Sequence, residues 1–229
     1  MPRPSRNLDR ALLAAGMALF PVRGCAGLSV REVADAADVN LGMFHYHFKS
    51  REAFLRAVLQ AVYDDMYGQL ALVTRERAVN ATPLDQLRLA LRFMARFVRA
   101  HRPVIARVIA DALCGEAIAM DFVRDNFPRH IGVIHGLVGA AREAGQVARE
   151  PPLQLMAFCA GAIATPILFG GAAAASGEMP AAQARAIEET LLSDVAIDTR
   201  IELALAAIAL PPAAAPKKPK RSVAKARRP

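Results

Sequence analysis

The chain has 229 residues, enough for one helical body of ordinary size with a small appended module. Its 54% hydrophobic content excludes global disorder, and apolar mass carried by Ala, Leu and Val, with no Trp, favours helix over sheet. The net charge is +8, but Lys217, Lys218, Lys220, Arg221, Lys225, Arg227 and Arg228 put seven of those charges in the last nineteen residues, so the rest is not a uniformly basic, nucleic-acid-coating globule.

The first helical period covers residues 7–22. Leu8, Leu12, Ala15 and Leu19 recur at helical spacing, and Leu13, Met17 and Phe20 widen the stripe. Gly24 and Gly27 follow its end. Ser29-Val30-Arg31-Glu32 matches a capping box and opens a short helix over 30–37. Asp38-Val39-Asn40 makes a turn, and Asn40 is a cap for a second short helix over 41–47. Ser50 caps the next helix, which runs from 51 to about 78 with Glu52 in its positive first turn. Helices this short do not persist alone. Leu28, Val30, Val33, Val39, Phe44 and Phe48 must pack beneath the first helix, and the unit that results is a helix-turn-helix.

Thr82-Pro83 starts a helix that runs to about His101, with Leu84, Leu87, Leu91, Met94 and Val98 as its core face. Arg88, Arg92, Arg96 and Arg99 gather on another side and read as a solvated stripe. Further helices are predicted over 103–113, 117–145, 152–174 and 180–209, with no strand-period alternation and no repeat. Residues 151–177 carry no charge and are long enough to cross a bilayer, which makes a membrane-associated helical protein the alternative reading. Their Ala and Gly content, with Pro152 and Pro166, favours a buried helix at a subunit interface. From Pro211 onward Pro, Ala and Lys predict a disordered tail, either a flexible arm on DNA phosphates or a solubilising tail. The expected division is therefore 1–52, a helix-turn-helix domain; 53–210, a larger helical body; and 211–229, a basic tail.

Catalytic and metal signatures are missing: no P-loop, GxSxG, HExxH or paired CxxC occurs, so neither enzyme activity nor a cofactor is expected. His45 and His47 are two apart and His130 and His135 five apart, both poor metal spacings on a helix. Cys25, Cys114 and Cys159 fit a reduced, cytoplasmic setting, with Cys114 and Cys159 expected as inert core thiols. The start of the chain has no signal-peptide pattern.

The stretch from Leu28-Ser29-Val30-Arg31-Glu32-Val33-Ala34 to Ala37-Asp38-Val39-Asn40-Leu41-Gly42-Met43-Phe44-His45-Tyr46-His47-Phe48-Lys49-Ser50-Arg51-Glu52 resembles the DNA-binding signature of the TetR family of transcriptional regulators. The resemblance implies an all-α protein whose three-helix domain binds operator DNA, followed by a helical domain for effector binding and homodimerisation. It implies a cytoplasmic repressor without a membrane partner. Asn40, Leu41, Gly42, Met43, His45, Tyr46, His47, Lys49 and Arg51 are the expected DNA contacts. Leu41 and Met43 suit thymine methyls, while Tyr46, His47, Lys49 and Arg51 resemble the family's phosphate-contacting cluster. His45 replaces a common Tyr of the family, and Leu41 a polar or basic residue, so the operator sequence does not carry over.

For a hydrophobic or aromatic effector the expected lining is Phe93, Phe97, Met120, Phe127, His130 and Met156, with Phe122 and Phe169 nearby and Asp111 as a second polar anchor. The dimer is expected to form from helix 152–174 and the Ile201, Leu205, Ile208 face of the last helix, with Ala160, Gly161, Ala164 and Ala172 allowing close approach.

Overall fold

The computed structural model of the chain describes residues 6–76 and 81–211. Among these residues ten α-helices follow in order: α1 (Arg6–Gly27), α2 (Val30–Ala36), α3 (Leu41–Phe48), α4 (Arg51–Glu76), α5 (Pro83–Ala100), α6 (Arg102–Leu113), α7 (Ala117–Glu143), α8 (Pro152–Ala175), α9 (Ala181–Ile187) and α10 (Asp194–Ile208). Among the described residues the extended pairing is limited to one backbone bridge, Val147 with Ala209, which ties the end of α10 to the α7–α8 connection.

Local chemistry sets most boundaries. The Ser29 hydroxyl accepts from the Glu32 N–H, and the Asn40 carboxamide oxygen accepts from the Gly42 N–H at 2.7 Å, each filling an orphan donor at a helix start. At α5, Thr82 and Asp85 form a reciprocal capping box with Pro83 at the first helical position. α1 bends at Gly24, whose φ of 64° and ψ of −170° lie outside the helical region. The single helix predicted over 180–209 is instead divided. The chain leaves α9 through a wide π turn over 188–192, and Ser193 then caps α10 by accepting from the Ala196 N–H.

Two cores organise the packing. The first joins Leu12, Phe20, Leu28, Val33 and Phe44 to Phe54, Leu55, Val58 and Leu59 of α4. The packed N-terminal unit therefore extends past residue 52, because the first two turns of α4 close it. Gly16 is needed there: a Cβ would sit 2.6 Å from Phe54, so only glycine lets α1 and α4 approach this closely. The second core gathers α5, α7, α8 and α10 around Leu87, Val138, Ile167, Ile197 and Ile201. α4 runs through both cores, supplying Tyr63, Met66 and Leu70 to the second.

The arginine stripe of α5 is not left to solvent. Arg88 and Arg92 reach Glu202, Arg92 and Arg96 reach Asp198, and Arg96 and Arg99 reach Asp194, forming a ladder that joins α5 to α10. α10 turns Ile201, Leu205 and Ile208 into its own protomer's core, all buried, so they are not free to meet a second copy. Their i, i+4, i+7 spacing fits either face, and the acids at 194, 198 and 202 decide it by pairing with α5. Cys114 is exposed at the end of α6 rather than in the core, while Cys25 and Cys159 are buried. The basic tail from residue 212 lies outside the described residues.

Candidate functional site

The short helix α3 displays one outward face. Leu41, Gly42, His45 and Tyr46 are exposed, as are Asn40 before the helix and Lys49 after it. Tyr46 is 64% exposed and rests edge-on against His47. Positions 41, 42, 45, 46 and 49 recur at i, i+1, i+4, i+5 and i+8, which is one side of a helix. Phe44 anchors the opposite side, fully buried and tilted against Phe48 and Phe54 at ring separations of 5.7 and 5.0 Å. An exposed helix face on a rigid aromatic base, with one cation at its end, has the dimensions to enter a major groove.

Gly42 serves this face in a local way as well. A Cβ at Gly42 would lie 3.2 Å from the Asn40 side-chain oxygen, pressing on the cap that starts α3.

Three of the nine expected contacts are turned away. Met43 is half-buried and packs against the first core. His47 sets its Nδ1 3.0 Å from the Asp9 carboxylate, with a side chain only 11% exposed, and so fastens α3 to α1. Helical spacing explains both: position 47 follows Phe44 by three, and Met43 precedes His47 by four. Arg51 donates from Nε to the Leu28 carbonyl at 2.6 Å and from Nη2 to the carbonyls of Cys25 and Ala26. Its guanidinium thereby satisfies the end of α1.

The end of α1 is also gripped from the helical body. Asp111 of α6, 6% exposed, accepts the Cys25 backbone N–H at 2.7 Å and Arg107 Nε at 2.8 Å. The Arg107 guanidinium donates onward to the carbonyls of Val22 and Arg23. Gly24 fits beneath it, where a Cβ would stand 2.1 Å from guanidinium atoms. Burial, and then the adjacent Asp111, push the Cys25 thiol up to about 12. Asp111 was expected beside the effector; it belongs to this junction instead. The i, i+4 Arg107–Asp111 pair was the only sequence signal, and it does not reveal a partner eighty residues away.

Below the junction lies a cavity of about 380 Å³ between α4, α5, α6, α7 and α8. Phe97, Phe122, Phe127, His130 and Met156 line it, as do Tyr63 and Cys159. Phe93 packs against the second core outside the lining, Met120 is half-exposed, and Phe169 is exposed on the outer side of α8. Leu59 and Val108 both line the cavity and belong to the N-terminal core, so α4 and α6 are shared walls. The contribution of α4 was missed because its Leu59, Tyr63 and Met66 have the spacing of ordinary core residues.

One polar cluster borders the cavity. The Tyr63 hydroxyl donates to the Asn126 carbonyl at 2.5 Å and lies 3.3 Å from His130 Nδ1. Buried Asn126 donates to the Phe122 carbonyl and accepts from Gln60. Burial lowers His130 to about 4, which keeps the ring neutral.

Outside the cavity, α8 carries an uncharged outer stripe of Phe158, Gly161, Thr165, Phe169 and Ala172, and α10 one of Val195, Thr199, Leu203 and Ala206. Phe169, Val195 and Leu203 are more than half exposed. α8 is long and apolar enough to cross a membrane, with mean hydropathy 1.8 over its most apolar window, yet its Leu155, Cys159, Ile163, Ile167 and Gly171 edge is buried in the body.

Residues 12–58 match the model of the bacterial regulatory proteins of the tetR family. The chain is 36% identical over 74 residues to the HTH-type transcriptional repressor KstR2 of Rhodococcus jostii, a segment covering 32% of this chain and 33% of that protein. It is 34% identical over 68 residues to the repressor DhaR of Mycobacterium sp. strain GP1, covering 30% and 34%. The matched segments thus span about a third of these relatives. The whole fold is similar to that of a TetR-family transcriptional regulator from Mesorhizobium loti (TM-score 0.65, 16% identity, 91% of this chain and 100% of that one). It is similar also to the ketosteroid transcriptional regulator KstR2 of Mycobacterium tuberculosis (TM-score 0.62, 17% identity, 92% and 98%).

Proposed function

We propose that the chain is a regulator of the TetR family, a ligand-responsive DNA-binding repressor that works as a cytoplasmic homodimer. The observation that carries this reading is the sharing of α4 and α6 between the cavity and the helix-turn-helix. An occupant touching Leu59 and Val108 presses on side chains of the core that also holds Phe44 of α3. Occupancy then favours dimers whose recognition helices no longer match successive grooves, and operator affinity falls.

Asn40, Leu41, Gly42, His45, Tyr46 and Lys49 form the DNA face in this reading. Met43, His47 and Arg51 act by holding α3 and the end of α1. The uncharged stripes of α8 and α10 meet their two-fold copies in a four-helix bundle, which gives the apolar outer face of α8 a partner without a membrane. A dimer doubles the base contacts and reads a near-palindrome with half-sites about 34–36 Å apart.

The test is a band-shift selection of genomic fragments, beginning with the region upstream of the chain's own gene. Recovery of a near-palindromic site that is lost in the His45→Ala/Tyr46→Ala variant supports the reading. Binding that is indifferent to those two changes defeats it.

A further inference from the structure

Among the residues lining the cavity there is no Lys, Arg, Asp or Glu. An ion entering it would lose its hydration without finding a counter-charge. The Arg129 guanidinium lies over the Tyr63 and Tyr67 rings at 5.2 and 4.3 Å and is not part of the lining. Burial pushes the Cys159 thiol up to about 11, so this group supplies no charge either.

The polar cluster has a fixed direction. A carbonyl only accepts, so Tyr63 gives its single proton to Asn126. His130 Nδ1, 3.3 Å from the same hydroxyl oxygen, must then be the donor of that pair. The neutral ring therefore carries its proton on Nδ1, and Nε2 keeps a bare lone pair. No described residue donates to Nε2. His130 lines the apolar cavity, and an occupant that brings a proton would match the acceptor left on its ring.

Resting on the reading of the cavity as the effector site, we infer that the effector is a neutral, mostly apolar molecule with a hydroxyl or equivalent donor placed against His130 Nε2. A volume of 380 Å³ admits about a dozen non-hydrogen atoms, allowing ~30 Å³ for each. Phe97, Phe122 and Phe127 on the walls suit a flat ring system.

The experiment is calorimetric titration of the full chain with 2-naphthol, its methyl ether and 2-naphthoate, alongside release of the retained operator. The alcohol should bind about tenfold more tightly than the ether, which accepts but cannot donate, and the carboxylate at least a hundredfold more weakly. His130→Phe should abolish the alcohol's advantage while still binding the ether, and His130→Gln, which keeps an acceptor, should recover most of it. Equal binding of alcohol and ether, with operator release by both, overturns the donor requirement and leaves the cavity as the effector site. Tight binding of the carboxylate overturns the neutral class. Failure of all three to bind a chain that still holds its operator overturns both the inference and the cavity reading. Should His130→Phe not fold, the wild-type ranking of alcohol over ether decides alone.

Discussion

Replacing Asp111 by Ala removes a buried carboxylate that joins the helical body to the N-terminal unit. The Cys25 N–H loses its acceptor inside the protein, which costs about 1–3 kcal/mol. Arg107 loses its short charge-assisted partner, but its side chain is 32% exposed and water replaces part of that bond. The sum is about 2–3 kcal/mol, below the 3–5 kcal/mol typical of breaking a fully buried pair. In urea, with a slope of ~2 kcal/mol per molar, the midpoint should fall by about 1 M at fixed protein concentration. Asp111→Asn keeps the shape and one acceptor, and should lose about half as much. Operator affinity should drop in step, since the end of α1 and the Arg51 clamp both lean on this junction. An Asp111→Ala protein within about 0.5 kcal/mol of wild type would refute the assignment of the junction as the link between the two cores.

Gly24→Ala meets the same junction from the other side: a φ of 64° and a Cβ 2.1 Å from the Arg107 guanidinium should cost at least about 2 kcal/mol, measured as a lowered thermal midpoint. Phe169→Asp should leave the protomer folded, because the side chain is 73% exposed, while sedimentation shows the dimer dissociating at least a hundredfold more readily. Stability should also fall with acid. Unfolded His130 takes up a proton near 6.5 and the folded ring not until about 4, so stability present at neutral pH is lost as pH falls through that window, by at most about 1.4 kcal/mol per unit. Equilibrium unfolding of wild type and His130→Gln across pH 7 to 4 checks this; parallel curves would remove His130 as the cause.

The helix boundaries were legible because capping chemistry is local. Ser29, Asn40 and Thr82 each announce a start through an acceptor a few atoms from the donor it satisfies. Ser193 did so too, but an apolar period running through residues 187–208 masked it, and one helix was expected where there are two. On α3 Met43 and His47 were expected among the outward contacts, although their spacing from Phe44 places both beside that buried anchor. The cavity was less legible for a physical reason: residues that line a hollow and residues that fill a core have the same hydrophobic period. Phe93 and Phe97 stand one turn apart on α5, and only Phe97 meets the cavity. The Asp111–Cys25 junction joins positions eighty-six apart through a backbone donor, which no side-chain pattern records.

The stripe of α8 and α10 contains Phe, Leu, Val, Gly, Ala and Thr but no ion, so if the proposed dimer forms there bulk electrolyte has nothing to screen between its two copies. Changing the salt concentration then perturbs the protein–DNA contact while leaving the assembly intact. The slope of log affinity against log salt becomes a counter of neutralised phosphates. A chain ending at Pro211 counts those made by the folded domains, and the difference from the full chain counts those made by the seven tail cations.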